Sequence, residues 1–183
     1  MPLSEPNARK HIHTRDISCR GYRREDGLWD IEGHLVDTKT YAFDNRFRGE
    51  VAPGTPVHEM WVRVTVDDEL QIRDVEAVTE QRHHPYPTGA DSTPDYRNMI
   101  GTRIRPGWTR TVKERLGAER GCTHQTRLLQ EVAVVAIQTI FPLLAREKNL
   151  EETDRRPPHI DTCHALRADG EVVRQLYPRW YRG

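Results

Sequence analysis

The sequence has no net charge: its 28 lysines and arginines balance 28 aspartates and glutamates over 183 residues. A chain without a basic excess lacks the footprint on which nucleic-acid binding rests, so no nucleic-acid partner is expected. Apolar matter is also scarce. Hydrophobic residues make up 36%, aromatics 7% and charged residues 31% of the chain, which predicts a modest core under a heavily ionic surface. No apolar run approaches the ~20 residues of a membrane span, and the N-terminal stretch through Asp16 carries no apolar leader. A cytoplasmic chain with no membrane partner is therefore expected. Cysteine is sparse, and Cys19, Cys122 and Cys163 leave an odd thiol that builds no disulfide framework. The phosphate-cradling glycine loop, the dinucleotide fingerprint, the paired-histidine zinc motif and the nucleophile elbow are all missing. These absences count against nucleotide-dependent chemistry and the commoner hydrolases.

The pattern that is present predicts an α+β fold, an antiparallel β-meander with two or more helices packed on one face. Residues 1–14 read as a flexible tail, 15–148 as one α+β domain, and 149–183 as a linker and C-terminal β-hairpin packed on it. Strand-like sequence turns at Asp26-Gly27. In the next strand Trp29, Ile31, Gly33 and Leu35 share one face, while Asp30, Glu32, His34 and Val36 share the other, because side chains alternate. A strand from His58 to Val66 carries His58, Met60, Val62, Val64 and Val66 on one face, and residues 70–79 read as its hairpin partner. Residues 80–107 hold a proline-rich loop of the length usually reserved for function. A short helix opens near Trp108 and stops at Gly117. A long helix follows from Thr123, its expected N-cap, with Leu128, Leu129, Val132, Val135, Ala136 and Thr139 on one side. Pro142 is expected to kink or end it.

Polar groups on apolar faces are the candidates for chemistry, since burying them without a partner is costly. His58 heads an apolar strand face, and His124 lies in the first turn of the long helix on the side of Leu128. Each reads either as a core histidine with satisfied nitrogens or as a base kept neutral by burial. The two faces must pack together, so His58 and His124 are expected to line one pocket with Cys122 at its edge. Glu32 joins the catalytic set if a helix covers its face. Tyr22, Arg24, Asp37, Lys39 and Tyr41 flank the first hairpin and read as surface ion pairs or, for the tyrosines, Arg24 and Lys39, as anchors for a carboxylate or phenolate, and Trp108 and Tyr86 read as residues of a pocket mouth. His83 and His84 are expected to be exposed. Cys163 and His164, adjacent in a strand, face opposite sides and make no pair.

Three blocks, GYRREDGLWDIEGHLVDTKTY, PVHEMWVRVTVDDELQIRDVEAVTE and PGW…GCTH with the long helix after it, resemble the bacterial family of domain of unknown function 2889. More distantly, the order of meander, hairpin, loop and cysteine-opened helix is similar to the NifU-like iron–sulfur scaffold fold. That similarity would match Cys122 to the helix-opening cysteine and place His58 near the acidic ligand. The central-loop cysteine has no counterpart here, which weighs against cluster assembly.

Three functions follow as expectations. The first is a small cofactor-independent enzyme, a lyase or decarboxylase using histidine acid/base chemistry on a small aromatic or carboxylic compound. The second is a metal-binding module holding zinc or iron through His58, Cys122 and His124. The third is an adaptor with no small-molecule site. A homodimer is also expected, since the terminal Tyr177, Trp180 and Tyr181 need a surface to pack on.

Overall fold

The computed structural model describes residues 3–84, 94–147, 156–157 and 159–183. The chain divides into two units, Met1–Leu144 and Ala145–Gly183. In the first unit, strands β1 (His13–Arg23), β2 (Trp29–Lys39), β5 (His58–Val66) and β6 (Ile72–Gln81) form one sheet in the order β1-β2-β5-β6. All three pairings are antiparallel. A second hairpin, β3 (Phe43–Asn45) with β4 (Gly49–Val51), interrupts the meander. Residues 44–56, rich in glycine and proline, read as a loop in the sequence, but a side-chain turn sets a hairpin there: Asn45 Oδ1 accepts from the backbone N–H of Phe47 at 2.9 Å and of Arg48 at 3.1 Å.

The helices α1 (Trp108–Leu116) and α2 (Thr123–Glu147) bury their apolar sides with one face of this sheet. The expected alternation holds on β2, where Trp29, Ile31 and Leu35 are buried with Val62 and Val64 of β5 and Leu128, Leu129, Val132 and Ala136 of α2. Contact is closest where side chains are missing. A Cβ on Gly33 would lie 2.8 Å from Val132 Cγ2, and one on Gly21 would lie 2.1 Å from Thr139 Oγ1. These two glycines let α2 approach β2 and β1 at short range. Gln125, fully buried, donates from Nε2 to the Val78 carbonyl at 3.1 Å and ties the start of α2 to β6.

Four local expectations need correction. The α2 cap is Cys122 rather than Thr123, since the Cys122 carbonyl accepts the first helical bond, from Thr126 N–H at 2.8 Å. Pro142 lies inside α2, which runs on to Glu147; the proline forfeits one helical hydrogen bond, and Leu144 beyond it is buried. By length and composition α2 could cross a membrane, although the sequence was expected to hold no such run. Its apolar residues on one side form the core of the sheet layer. Strand β1 begins at His13, two residues inside the stretch read as a tail.

In the second unit there is no hairpin among the described residues. Residues 171–176 form a short helix, α3 (Glu171–Leu176). Glu171 ties the turn by accepting from Arg174 Nε at 2.8 Å and Gln175 Nε2 at 2.5 Å, so ion pairing at helical spacing outweighs the two valines that suggest a strand. Tyr177, Trp180 and Tyr181 pack on Ile160, Ala168 and Val173 of their own unit. The terminal aromatics therefore have a surface within their own unit and do not by themselves call for a dimer.

The close approach of α2 to the sheet is open to test. Gly33→Val should cost roughly 1–3 kcal/mol through overpacking against Val132 and Leu128, whereas Glu131→Gln should stay within about 0.5 kcal/mol of the parent. Thermal or urea melts of both variants check this, and equal melts would contradict the described packing.

Candidate functional site

The sheet register builds the centre of the site. Asp37 lies opposite Arg15 of β1 and opposite His58 of β5, so all three point to the helix-covered side in one cross-strand row. Asp37 continues the Trp29, Ile31, Gly33, Leu35 face at the end of β2. It is 1% exposed. A carboxylate so buried must be paired, and here the pairing is complete. Arg15 grips it with both arms, Nε to Oδ1 at 2.7 Å and a terminal NH2 to Oδ2 at 2.6 Å. His58 Nδ1 donates to Oδ2 at 2.9 Å, and His13 Nε2 lies 3.3 Å from Oδ1.

The first turn of α2 brings the second imidazole. The rings of His58 and His124 pack at 4.1 Å between centroids with a 33° tilt, and His124 Nε2 is 4.0 Å from Asp37 Oδ2. Cys122 lies behind them, its Sγ 3.8 Å from His124 Nδ1 and 3.8 Å from Met60 Sδ. Its backbone is held by the buried Tyr96, whose hydroxyl donates to the Cys122 carbonyl at 3.0 Å and accepts from its N–H at 3.2 Å. A third imidazole, His83, meets the edge of His58 at 4.7 Å. Asn45 of the β3–β4 turn fixes it, donating from Nδ2 to the His83 carbonyl at 3.2 Å. At the rim, Lys39 Nζ lies over Phe43 at 4.4 Å and Tyr41 at 5.2 Å.

Burial and mutual repulsion keep these imidazoles neutral. Desolvation, then the neighbouring His124, lower the His58 pKa to about 4 despite its bond to Asp37. Desolvation also lowers His124, helped by Arg15, and His83, helped by Lys39 and Arg48. Burial by itself would raise the Asp37 pKa, but the hydrogen bonds from Arg15 and His58 outweigh it and bring it down to about 2. At neutral pH the site therefore holds one ionised carboxylate locked to one guanidinium, with two or more neutral bases around it.

Residues 13–138, well over half of the chain, match the family described as protein of unknown function DUF2889. The chain belongs to that family. No curated protein and no solved structure matches it. Arg15, Asp37, His58, His83 and His124 all fall in the matched part.

Within this DUF2889 chain the structure brings His58 and His124 together, with Cys122 beside His124. Several other expected site residues lie elsewhere. Glu32 is on the opposite face of the sheet, 3.6 Å from Arg63 and beside a cleft of about 200 Å³ lined also by Trp61 and Glu76; among the described residues no helix covers it, because α1 and α2 took the apolar face. Arg24 is bound in the β1–β2 turn to Asp26 at 2.7 Å and Asp30 at 3.4 Å. Tyr22 pairs with Asp30 near that same far end of the hairpin. Trp108 is a core residue, 8% exposed, because α1 turns Trp108, Val112 and Leu116 inward together. His83 is half-buried in the site instead of exposed. Lys39 and Tyr41 do lie at the rim. Tyr86 is outside the described residues.

Arg15, His13 and His83 are residues that the sequence did not point to at the centre, and Asp37, expected in a surface ion pair, is instead buried there. Asp37 carried a usable signal, since it falls two residues after Leu35 on the apolar face. Arg15 could be recognised only once β1 and β2 were placed in register.

Acid titration should report the site in two stages. His58 is protonated below 6.5 in the unfolded chain but only below about 4 in the folded one, so stability should fall as pH drops from 6.5 towards 4. Asp37 ionises above 3.8 when unfolded and above about 2 when folded, so a further loss follows between those values. Urea midpoints against pH should show both. His58→Gln should flatten the upper stage, and an unaltered profile in that variant would contradict the assignment.

Proposed function

We propose that the chain is a small cofactor-independent enzyme, a lyase or decarboxylase in which His58 moves a proton on a small carboxylic or aromatic compound. The observation that carries this reading is the cross-strand row in which the buried Asp37 is held between Arg15 and His58. A carboxylate that accepts from Nδ1 keeps the proton on that nitrogen and leaves Nε2 of His58 as the basic lone pair. Arg15 in turn holds the carboxylate ionised and stationary, so the row positions a base and is itself not consumed. The lowered pKa values keep His58 in the neutral form in which a base acts, while making it a weaker proton acceptor than a free imidazole. His124, packed on His58, adds a second neutral imidazole to the site. Lys39 at the rim offers a cation to a substrate carboxylate, and Phe43 and Tyr41 offer an aryl group a surface. A cytoplasmic location belongs to the same proposal.

A second reading, a zinc or iron centre, is favoured by one observation: single ligand atoms of Asp37, His58 and His124 lie within 4.8 Å of one another. Asp37 then takes the place that Cys122 held in the expected ligand set. Against it stands Arg15, whose two donors already occupy both oxygens of Asp37 and would repel a cation. The tight ring packing of His58 on His124 would also have to open for both nitrogens to reach the ~2.0–2.1 Å bonds of a tetrahedral zinc site.

The test is turnover on a panel of small aryl and aliphatic carboxylic acids, followed by mass spectrometry and carbon dioxide release. His58→Ala should lower kcat/KM by roughly 10²–10⁴-fold while the far-ultraviolet spectrum is kept. The acid limb of kcat/KM should fall near the His58 value of about 4, because activity is lost as the base is protonated. Turnover that survives His58→Ala sinks the proposal. Calorimetric titration with zinc(II) decides for the second reading if it shows one ion per chain and Asp37→Asn abolishes the uptake.

A further inference from the structure

Beyond the site, β1 is the feature whose arrangement calls for a partner. It is an edge strand, paired with β2 over all 11 of its residues in unbroken register. An edge presents a row of unpaired backbone donors and acceptors, which folded chains usually blunt with proline, bulges or a covering segment. The other edge is treated in that way. Strand β6 pairs with register shifts between Glu59 and Met60 and between Thr65 and Val66. The start of β6 is also covered, with Ile72 N–H bonded to the Thr102 carbonyl at 2.8 Å and Gly101 N–H to the Ile72 carbonyl at 2.9 Å. Strand β1 has no proline, no bulge and, among the described residues, no backbone hydrogen bond along its outer edge.

Charge is the remaining way to guard an edge, and β1 is charged, but with both signs in a symmetric arrangement. Asp16 and Arg20 are exposed, lie on the same face of the strand, and stand two residues either side of Ser18. Among the described residues neither has an ion pair or a side-chain hydrogen bond. If two copies of β1 run antiparallel about a two-fold axis at Ser18, Asp16 of each copy falls opposite Arg20 of the other. The same register sets Ile17, 38% exposed, opposite Cys19, Thr14 opposite the exposed Tyr22, and Arg15 opposite Gly21, which offers it room. Sliding the axis by a residue or two either way breaks both ion pairs. A slide to Cys19 sets Arg15 against Arg23, and a slide to Arg20 sets Arg20 against its own symmetry mate.

We propose that this chain forms a homodimer by antiparallel pairing of β1 with β1 of a second copy about Ser18, extending the sheet across both copies. Directly opposed side chains are the unit of sheet stability, and by symmetry every favourable pair occurs twice. The paired edge spans about 37 Å at ~3.4 Å per residue, enough for a reversible contact held by backbone bonds and two ion pairs. The interface reaches the candidate site. It places Arg23 of the second copy opposite His13, whose ring lies 3.3 Å from Asp37. The inference is independent of the proposed activity.

Sedimentation velocity of the full chain from about 1 to 300 µM tests it. The wild-type chain should move from monomer to dimer across that range. Asp16→Arg should weaken the dimer roughly tenfold or more, since two cross-strand pairs become repulsive. The charge swap Asp16→Arg with Arg20→Asp should restore it to within about threefold. Should Asp16→Arg fail to fold, a second measurement decides: Ser18→Cys in a Cys163→Ser background. The two-fold axis brings the new thiol ~4.5–5.5 Å, Cα to Cα, from its symmetry mate, inside the disulfide range, so mild oxidation should give a covalent dimer. A chain that stays monomeric throughout, a dimer indifferent to Asp16→Arg, a swap that restores nothing, or a Ser18→Cys variant that does not cross-link would each overturn the proposal.

Discussion

A single buried carboxylate sets the terms for one end of this molecule. Asp37 lies at the end of an otherwise apolar strand face and is almost fully removed from water. An ion there is tolerable only if every lone pair is answered. The guanidinium of Arg15 answers from one neighbouring strand and the imidazole of His58 from the other. This demand binds β1, β2 and β5 to one register more tightly than their apolar residues would, because a slip of one residue would leave a charge unpaired in the core. It also fixes His58 in one orientation and one tautomer, the condition for a base or a ligand to act reproducibly.

The packing that makes the core also makes the site. Helix α2 crosses the sheet where Gly33 and Gly21 leave room, and its axis is set by the seating of Leu128 and Val132 over β2. Its first turn then overhangs the Asp37 end of the strands, which sets His124 on His58 and Cys122 on Met60. Tyr96 clamps the backbone of Cys122 from the short helical segment Pro94–Met99, and Asn45 of the small hairpin holds His83. Elements distant in sequence thus meet where the sheet's apolar face runs out. Polar groups collect there because the core is ending and water is near, so they can be half-desolvated without being stranded. The depressed imidazole pKa values are the electrostatic consequence of this half-burial.

Periodicity made most of the fold legible. The two-residue alternation of β2 and β5, the Asp26-Gly27 turn and the three- and four-residue spacing of α2 depend on neighbours in the chain, so strands, helices and their buried sides could be read directly. The same reasoning located His58 and His124, since each is a polar residue on an apolar face. It failed where local signals compete. Paired valines near the C-terminus suggested a strand, and the ion pairing of Glu171 made a helix. Asn45 built a hairpin inside what looked like a loop. Trp108, read as a pocket residue, is core.

By itself the sequence determined the strands of the main sheet, the two longer helices, the side of each that faces inward, and the membership of the chain in its family. These follow from side-chain chemistry repeated at the period of a strand or a helix, which the chain carries locally. Only the tertiary structure decided that Asp37 is the centre of the site, that Arg15 and His13 serve it, that His83 joins it, and that Glu32, Tyr22 and Arg24 do not. Those assignments depend on which strand pairs with which, in what register, and on which face the helices cover. Register and facing are settled by burial and charge pairing between residues more than twenty positions apart, and no local period records them.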